Sequence, residues 1–293
     1  MQEETGLPAG KQTKVGFIGL GEIGSLMAAN MIKGGFDVSA LDLRASAVEK
    51  AVELGARAAR SGKAMATECS AISIAVVSDA QVDELVSGPD GIFENAKPGT
   101  VILAHSTMPP MAAAEFEKRA EEKGLCWLDA PMSGATIAAQ AGTLTFLIGG
   151  RAEVLERCRP ILNSMGTNIF HLGKAGNGQV AKLVNGLMLH IGYAVALEGL
   201  KLAEAYGVPE EQIIALARLS TGKSWVVDNW GHMDREVAHH TQGTERMIQT
   251  HMRRDIHDAL IAAKAVNTSM PIAGVTMEVY ADLMTNRFVR RSK

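Results

Sequence analysis

The chain has 293 residues, of which 47% are apolar and only 4% aromatic, and 29 basic against 32 acidic side chains give a net charge of -3. This length exceeds what a single hydrophobic core usually holds, so the composition indicates a globular protein of two domains. The nearly balanced charge argues against a general nucleic-acid-binding surface but leaves local anion sites open.

Cysteines and apolar runs indicate the compartment. Cys69, Cys126 and Cys158 are widely spaced and form no CxxC, so neither a disulfide framework nor a zinc site is predicted. The polar N-terminus lacks the pattern of a secretory signal, and no window approaches 18 uninterrupted apolar residues. These features predict a soluble, cytoplasmic protein that does not enter a membrane.

Short apolar runs alternate with helical patterns from Val15 to about residue 178. Strands are predicted at residues 14–20, 36–43, 71–77, 100–105, 125–130, 143–150 and 168–173. Such alternation predicts βαβ units and a parallel sheet. Beyond Gly178 the strand signals stop and a helical period continues, interrupted by glycines and prolines. The sequence therefore predicts an N-terminal tail over 1–13, an α/β domain over 14–178 and an all-helical domain over 179–293.

The segment GLGEIG forms a GxGxxG motif between the first predicted strand and helix, and Asp42 closes the second predicted strand. The first glycine permits a tight turn, the second lets backbone approach a pyrophosphate, and the third lets the helix pack on the sheet. This arrangement predicts a Rossmann dinucleotide-binding domain. The expected cofactor contacts are Gly19, Leu20, Gly21, Glu22, Ile23, Gly24, Asp42, Leu43 and Arg44.

Asp42 also bears on the choice of cofactor. Its carboxylate suits the adenosine ribose hydroxyls and would repel a ribose phosphate, which favours NAD over NADP. Arg44, two residues later, could still reach such a phosphate. NADP therefore remains the alternative cofactor.

A second glycine-rich stretch, GKAGNGQVAKLVNG, covers residues 173–186. A glycine-rich turn that enters a helix could bind a phosphate at the helix N-terminus. It could equally belong to a reaction centre, because Lys182 follows on the helix. Both interpretations are compatible with the local pattern.

Three segments together resemble the β-hydroxyacid dehydrogenase family, which includes 3-hydroxyisobutyrate dehydrogenase. They are GFIGLGEIGSLMAANMIKGG, DAPMSGATIAAQAGTLTFLIGG and GKAGNGQVAKLVNG, in the family's order, and the match runs from about residue 14. The resemblance implies a Rossmann domain, a long interdomain helix and an all-α domain, the architecture of 6-phosphogluconate dehydrogenase. It also implies NAD(P)-linked interconversion of a β-hydroxy acid and its semialdehyde or keto acid, without a metal, in a homodimer or homotetramer.

By position, Lys182 matches the family's catalytic lysine, while Ser133 and Gly134, followed by Ala135, match its substrate-binding segment. Oxidation of an alcohol needs an acceptor for the hydroxyl proton, and reduction needs a donor. A lysine can serve in both directions, and as an ammonium it stabilises negative charge on oxygen. Ser133 lies in a predicted loop after the strand that ends at Asp129 and Ala130 and is expected to hold a substrate carboxylate, although a plain turn is the alternative.

Further positions follow from the resemblance. Thr107 lies in a family-like turn, HSTMPP, and is expected near the nicotinamide or the substrate, although a hydroxyl-capped turn is the alternative. Val77 and Ser78 match a loop that lies against the cofactor. Trp225, in STGKSW, is expected either to shape the pocket or simply to pack.

The sequence also departs from the family's usual pattern. Many relatives carry Asn or Gln four residues after the lysine, where this chain has Gly186, so Asn185 is the expected substrate contact. Arg254 replaces a common lysine and suits a carboxylate or phosphate, or a helix-surface ion pair. Met247 stands where relatives often have a phenylalanine near the nicotinamide, although a methionine at helical spacing also suits a core.

The histidine-rich region over residues 232–257 lacks HExxH and familiar ligand spacings, so no metal site is predicted. The sequence leaves two other functions open. One is a reductase of a related aldehyde, ketone or imine on the same fold. The other is a non-catalytic dinucleotide-binding protein, against which the presence of Lys182 argues.

Overall fold

A computed structural model describes residue 7 and residues 13–239 and 253–288. The chain forms two compact units that divide between Lys182 and Leu183. The first is an α/β unit, and the second consists of helices in its described part. The predicted fold class, a Rossmann domain followed by an all-α domain, is confirmed.

A nine-stranded sheet forms the centre of the first unit. Its strands are β1 (Lys14–Ile18), β2 (Asp37–Leu41), β3 (Arg57–Ala58), β4 (Ala71–Ile74), β5 (Val101–Ala104), β6 (Cys126–Asp129), β7 (Met132–Ser133), β8 (Leu144–Gly150) and β9 (Gly166–His171). The order β3-β2-β1-β4-β5-β6 is parallel throughout and is that of the Rossmann fold. Beyond it, β8 runs antiparallel to β6, and β7 and β9 both pair with β8.

All seven predicted strands are present, most of them shorter than predicted. The sequence missed β3 and β7, because a two-residue strand is too short to show a period. The prediction that Ser133 lies in a loop is wrong, since Ser133 ends β7 and pairs with Thr145 of β8.

Helices cover both faces of this sheet: α1 (Glu22–Lys33), α2 (Ala45–Glu53), α3 (Gly62–Glu68), α4 (Asp79–Ser87), α5 (Ile92–Asn95), α6 (Pro110–Glu122), α7 (Ala135–Ala141) and α8 (Ala152–Met165). Along β5, Val101 and Leu103 join one core cluster, whereas Ile102 and Ala104 join the other. Alternate residues therefore point to opposite faces, and both faces are buried, as expected for a parallel sheet.

Helix α9 (Asn177–Ala205) starts in the first unit and continues into the second. It is followed by α10 (Glu210–Leu219), α11 (Trp225–Asp228), α12 (His232–His239), α13 (Arg253–Ala265) and α14 (Pro271–Phe288). Among the described residues, α9 alone is long and apolar enough to cross a membrane by length and composition. Its residues Leu183, Leu187, Tyr193, Ala194 and Leu197 belong to one core cluster with Ile256 and Tyr280. We therefore interpret α9 as the central helix of this core.

Candidate active site

Of the three glycines in the GxGxxG loop, only the second has room for a side chain. A Cβ on Gly19, whose φ is +93°, would overlap the carbonyl oxygen of Ala75, and one on Gly24 would overlap the carbonyl oxygen of Gly19. A Cβ on Gly21 would meet no described atom within 4 Å. The first and third glycines are thus required by packing, whereas the second leaves open space before helix α1. That open backbone fits the pyrophosphate of a dinucleotide.

Asp42 is held against this loop by hydrogen bonds. Its Oδ2 accepts the Leu20 N–H at 2.6 Å, and its Oδ1 accepts the Arg44 N–H at 2.8 Å. The Arg44 guanidinium donates to Asp42 Oδ1 at 3.1 Å and to the Leu20 carbonyl at 2.8 Å. Burial raises the pKa of Asp42, but the hydrogen bonds from Arg44 and Leu20 outweigh burial and leave that pKa below its ordinary value. A carboxylate therefore stands at the end of β2, where a ribose is expected.

Other predicted cofactor residues surround the same edge of the sheet. Leu43 is fully exposed beside Asp42, and Val77 is 67% exposed after β4. The Ser78 hydroxyl accepts the Gln81 N–H at 3.2 Å and caps α4, so its side chain has a local role. Thr107 follows β5 at the adjacent strand end and is half-buried.

The Ser133–Ala135 segment has an unusual backbone. Gly134 has φ +128°, and Ala135 has φ +53° although it carries a Cβ. A non-glycine residue in the left-handed region is uncommon and often marks a functional segment. A Cβ on Gly134 would also overlap that of Ala138. The glycine is therefore required where the chain turns from β7 into α7.

Lys182 lies on α9 close to this segment. Its Nζ donates to the carbonyl oxygen of Met132 at 3.0 Å, and the side chain is half-buried. Met132 directly precedes Ser133 in β7. The structure therefore brings the predicted catalytic lysine next to the predicted substrate-binding segment, although they are far apart in sequence.

The glycine-rich start of α9 surrounds a buried carboxylate. Asp129 has no exposed surface, and its two oxygens accept the Gly176 N–H at 2.9 Å and the Gln179 N–H at 3.1 Å. A Cβ on Gly178 would lie 2.7 Å from Asp129 Oδ2. Burial raises the pKa of Asp129, and the backbone hydrogen bonds oppose that shift. The Asp129 side chain thus occupies the anion position at this helix start, which argues against a second phosphate loop.

The second unit contains the remaining predicted contacts. Asn185 is exposed on α9, and a Cβ on the buried Gly186 would lie 3.3 Å from Asp255 Oδ2. Arg254 donates to Asp258 at 3.3 Å, which is the helix-surface ion pair considered as its alternative. Trp225 begins α11, is 52% exposed and meets the His232 ring edge-on. Met247 lies outside the described residues.

Among the residues that the structure describes, no group of three or more His, Cys, Asp or Glu side chains is placed to hold a metal ion. His240 and His251 lie outside those residues. Sequence reasoning placed Asp129 only as the end of a strand and passed over Gln179. A carboxylate as the last residue of an otherwise apolar, buried strand was the available signal for Asp129.

Comparisons with known proteins identify the family. The family model for the NAD-binding domain of 6-phosphogluconate dehydrogenase matches residues 14–173, and the model for the NAD-binding of NADP-dependent 3-hydroxyisobutyrate dehydrogenase matches residues 176–289. An NAD-dependent L-serine dehydrogenase of Pseudomonas aeruginosa is 36% identical over 282 residues, covering 95% of this chain and 94% of the relative. A 3-hydroxyisobutyrate dehydrogenase of Pseudomonas aeruginosa is 34% identical, covering 92% and 91%.

A solved structure agrees with these relatives. Mycobacterium tuberculosis 3-hydroxyisobutyrate dehydrogenase with L-serine superposes with a TM-score of 0.81 at 27% identity, covering 94% of this chain and 95% of that one. The motifs, the fold and the relatives agree, and the chain belongs to the β-hydroxyacid dehydrogenase family.

Proposed function

We propose that this protein is an NAD-dependent dehydrogenase that interconverts a β-hydroxy acid and its semialdehyde or keto acid, with Lys182 as general acid and base. The observation that carries the proposal is the 3.0 Å hydrogen bond from Lys182 Nζ to the Met132 carbonyl, directly before Ser133. It supports a lysine and a carboxylate-binding segment that act on one substrate.

Each residue has a chemical task in this proposal. The GxGxxG loop and Asp42 would hold the cofactor, which would supply a hydride acceptor as NAD⁺ and a hydride donor as NADH. Ser133 and the backbone N–H groups that follow it hold the substrate carboxylate, which fixes the hydroxyl carbon. Lys182, as an amine, removes the hydroxyl proton during oxidation, and as an ammonium it returns a proton to the carbonyl oxygen during reduction.

Relatives suggest which acids to test. Those named above act, by name, on L-serine and 3-hydroxyisobutyrate, and another is a 2-(hydroxymethyl)glutarate dehydrogenase of Eubacterium barkeri. Each of these acids carries a hydroxyl on the carbon β to a carboxylate. We therefore propose a small β-hydroxy acid of this kind as the substrate.

The test is a 340 nm cofactor assay with these acids, threonate, 4-hydroxybutyrate and tartronate semialdehyde. Lys182→Ala should lower kcat by about 10²-fold to 10⁴-fold, the usual contribution of a positioned acid or base. Lys174→Ala, which removes an exposed lysine from the same stretch, is the matched control. Full activity in Lys182→Ala would overturn the proposed role.

A second candidate is the reduction of a related aldehyde, ketone or imine. It is favoured by Gly186, because many relatives carry a carboxamide one helical turn after the lysine. At this position the chain instead has a glycine beside the Asp255 carboxylate. Adding aldehydes and cyclic imines to the panel separates the two candidate functions. Turnover of imines without turnover of hydroxy acids is expected only for the second function.

NAD is the proposed preferred cofactor, with NADP as the alternative. Asp42 supports NAD because its carboxylate would repel a ribose phosphate. Arg44, the residue that could reach such a phosphate, is paired with this carboxylate. Competition titrations of NADH against NADPH test this preference, and markedly tighter binding of NADPH would contradict it.

We also propose a cytoplasmic homodimer or homotetramer. Three unpaired, buried cysteines suit a reducing compartment. Met188, Val195 and Leu202 repeat every seven residues on α9 and are 72%, 64% and 62% exposed within one chain. An apolar stripe of this length supports association with another copy.

A further inference from the structure

The side chain of Gln179 joins the first turn of α9 to the loop after β5. Gln179 is fully buried. Its Oε1 accepts the Met108 N–H at 3.1 Å, and its Nε2 donates to the Ser106 carbonyl at 3.0 Å. These two contacts flank Thr107, so both ends of that turn are fixed to one side chain.

The same turn is tied to the neighbouring strand end. The Ser106 hydroxyl donates to the Val76 carbonyl at 2.8 Å and accepts the Val76 N–H at 3.1 Å. Val76 follows β4, Ser106 follows β5, and Asp129 ends β6. The Asp129 carboxylate accepts the N–H of Gln179. The ends of three adjacent parallel strands are therefore connected to the first turn of one helix.

Gln179 precedes Lys182 by three residues, so the two are neighbours on successive turns of α9. Whatever fixes the backbone at residue 179 fixes the point from which the Lys182 side chain extends. A carboxamide accepts and donates at once, which is what a backbone N–H and a backbone carbonyl require of one partner. A carboxylate or an apolar side chain of similar size meets only part of this requirement.

We propose that Gln179 is a positioning residue of the reaction, which together with Asp129 clamps the Lys182 turn of α9 to the Ser106–Met108 loop. The clamp holds the proton-transferring group at a fixed distance from the strand ends that carry the predicted cofactor contacts. The clamp itself is independent of the proposed function, whereas its effect on turnover rests on Lys182 acting as the acid and base.

The kinetic test uses Gln179→Met, which keeps the volume and removes both side-chain hydrogen bonds. The kcat per NADH-binding site should fall about 10-fold to 100-fold, because small misplacements of reacting groups are costly. The Kd of NADH should change by less than about threefold, since the GxGxxG loop and Asp42 are untouched. Because kcat is expressed per NADH-binding site, unfolded molecules, which bind no NADH, do not enter the comparison of the variant with wild type.

A second variant keeps the test valid if Gln179→Met folds poorly. In Gln179→Glu the ionised carboxylate faces the Ser106 carbonyl, but its protonated form can donate there and still accept the Met108 N–H. Relative to wild type, kcat should therefore recover as the pH is lowered. Gln212→Met, at an exposed position on α10, is the matched control and should keep wild-type kcat and Kd.

Hydrogen–deuterium exchange tests the clamp without turnover. Gln179→Met should accelerate exchange in residues 105–110 and 174–182 and leave residues 14–35 unchanged. Unchanged exchange in the first two segments would overturn the clamp, and accelerated exchange with wild-type kcat would overturn its positioning role. If wild type turns over no substrate, the proposed function and the positioning role both fail, while the exchange result still decides the clamp.

Discussion

Gly178 lies so close to Asp129 that a Cβ at residue 178 would stand 2.7 Å from Oδ2 of that carboxylate. The same Cβ would lie 2.8 Å from the backbone nitrogen of Gly149. The buried carboxylate and the start of α9 therefore fit together only because residue 178 has no side chain. This contact explains why a glycine stands at residue 178 in the stretch that precedes Lys182.

Gly178→Ala should destabilise the protein by about 1–3 kcal/mol, the usual cost of forcing extra atoms into a packed core. Activity should fall with stability, because the start of the Lys182 helix must move. The control is Gly199→Ala on the same helix, where a Cβ meets no described atom within 4 Å and should be neutral or stabilising by up to about 1 kcal/mol. Urea unfolding measures both, and equal midpoints for the two variants would contradict the packing argument.

Asp42→Ala should shift cofactor preference toward NADP. Loss of a charged hydrogen-bond partner for the ribose should weaken NADH binding by about 10-fold to 100-fold. NADPH binding should hold or improve, because the carboxylate no longer repels the phosphate and Arg44 loses its ion-pair partner. Fluorescence titration with both nucleotides measures the ratio. The control Asp90→Ala, which breaks the exposed ion pair with Lys63, should leave the ratio of the two affinities unchanged. An equal effect of Asp42→Ala on the binding of both nucleotides would contradict the prediction.

His105 should make stability depend on pH. It is buried at the end of β5, where Nδ1 contacts the Ala130 carbonyl at 2.9 Å and Nε2 contacts the Ser73 hydroxyl at 3.1 Å. Burial lowers the pKa of His105 to about 4, although the hydrogen bond to Ala130 opposes this shift. The unfolded chain, with a histidine pKa near the ordinary ~6.5, therefore binds a proton that the folded chain does not.

The free energy of unfolding should consequently fall as the pH drops from about 6.5 to about 4, by on the order of 3 kcal/mol from this group. In His105→Gln, the free energy of unfolding should depend less steeply on pH over this range, whatever the absolute stability of the variant. Denaturant titrations across this pH range compare it with His257→Gln, which changes an exposed histidine. The same slope in wild type and His105→Gln would refute the assignment.

Val195→Glu should weaken self-association. The substitution places a charge in the apolar stripe of α9, and burying that charge in an interface without a partner is costly. Light scattering at micromolar concentration should show a dimer or tetramer for wild type and a shift toward monomer for the variant. Gln212→Glu adds the same charge on exposed α10 and should keep the wild-type mass. A monomeric wild type would count against the proposed oligomer.

Local chemistry made much of this protein predictable from sequence. Gly19 and Gly24 were identifiable because a tight turn and a close helix leave no room for a Cβ, and such constraints act over a few residues. Short continuous apolar runs predicted the strands, because a strand of a parallel sheet is buried on both faces. Lys182 and Ser133 were assigned from motifs that resemble a family, and their roles remain predictions.

Tertiary structure decided what depends on residues far apart in the chain. The sequence shows that residue 186 is a glycine, but only the fold shows the Asp255 carboxylate beside it. The glycines before Lys182 are compatible with a phosphate loop in sequence, but in the fold the Asp129 carboxylate binds that helix start. The role of Gln179 depends on its contacts with Ser106 and Met108, which only the fold shows. Short-range steric limits and burial depend on residues that are close in sequence and can be inferred from it. The partner of a buried polar group depends on how distant segments pack.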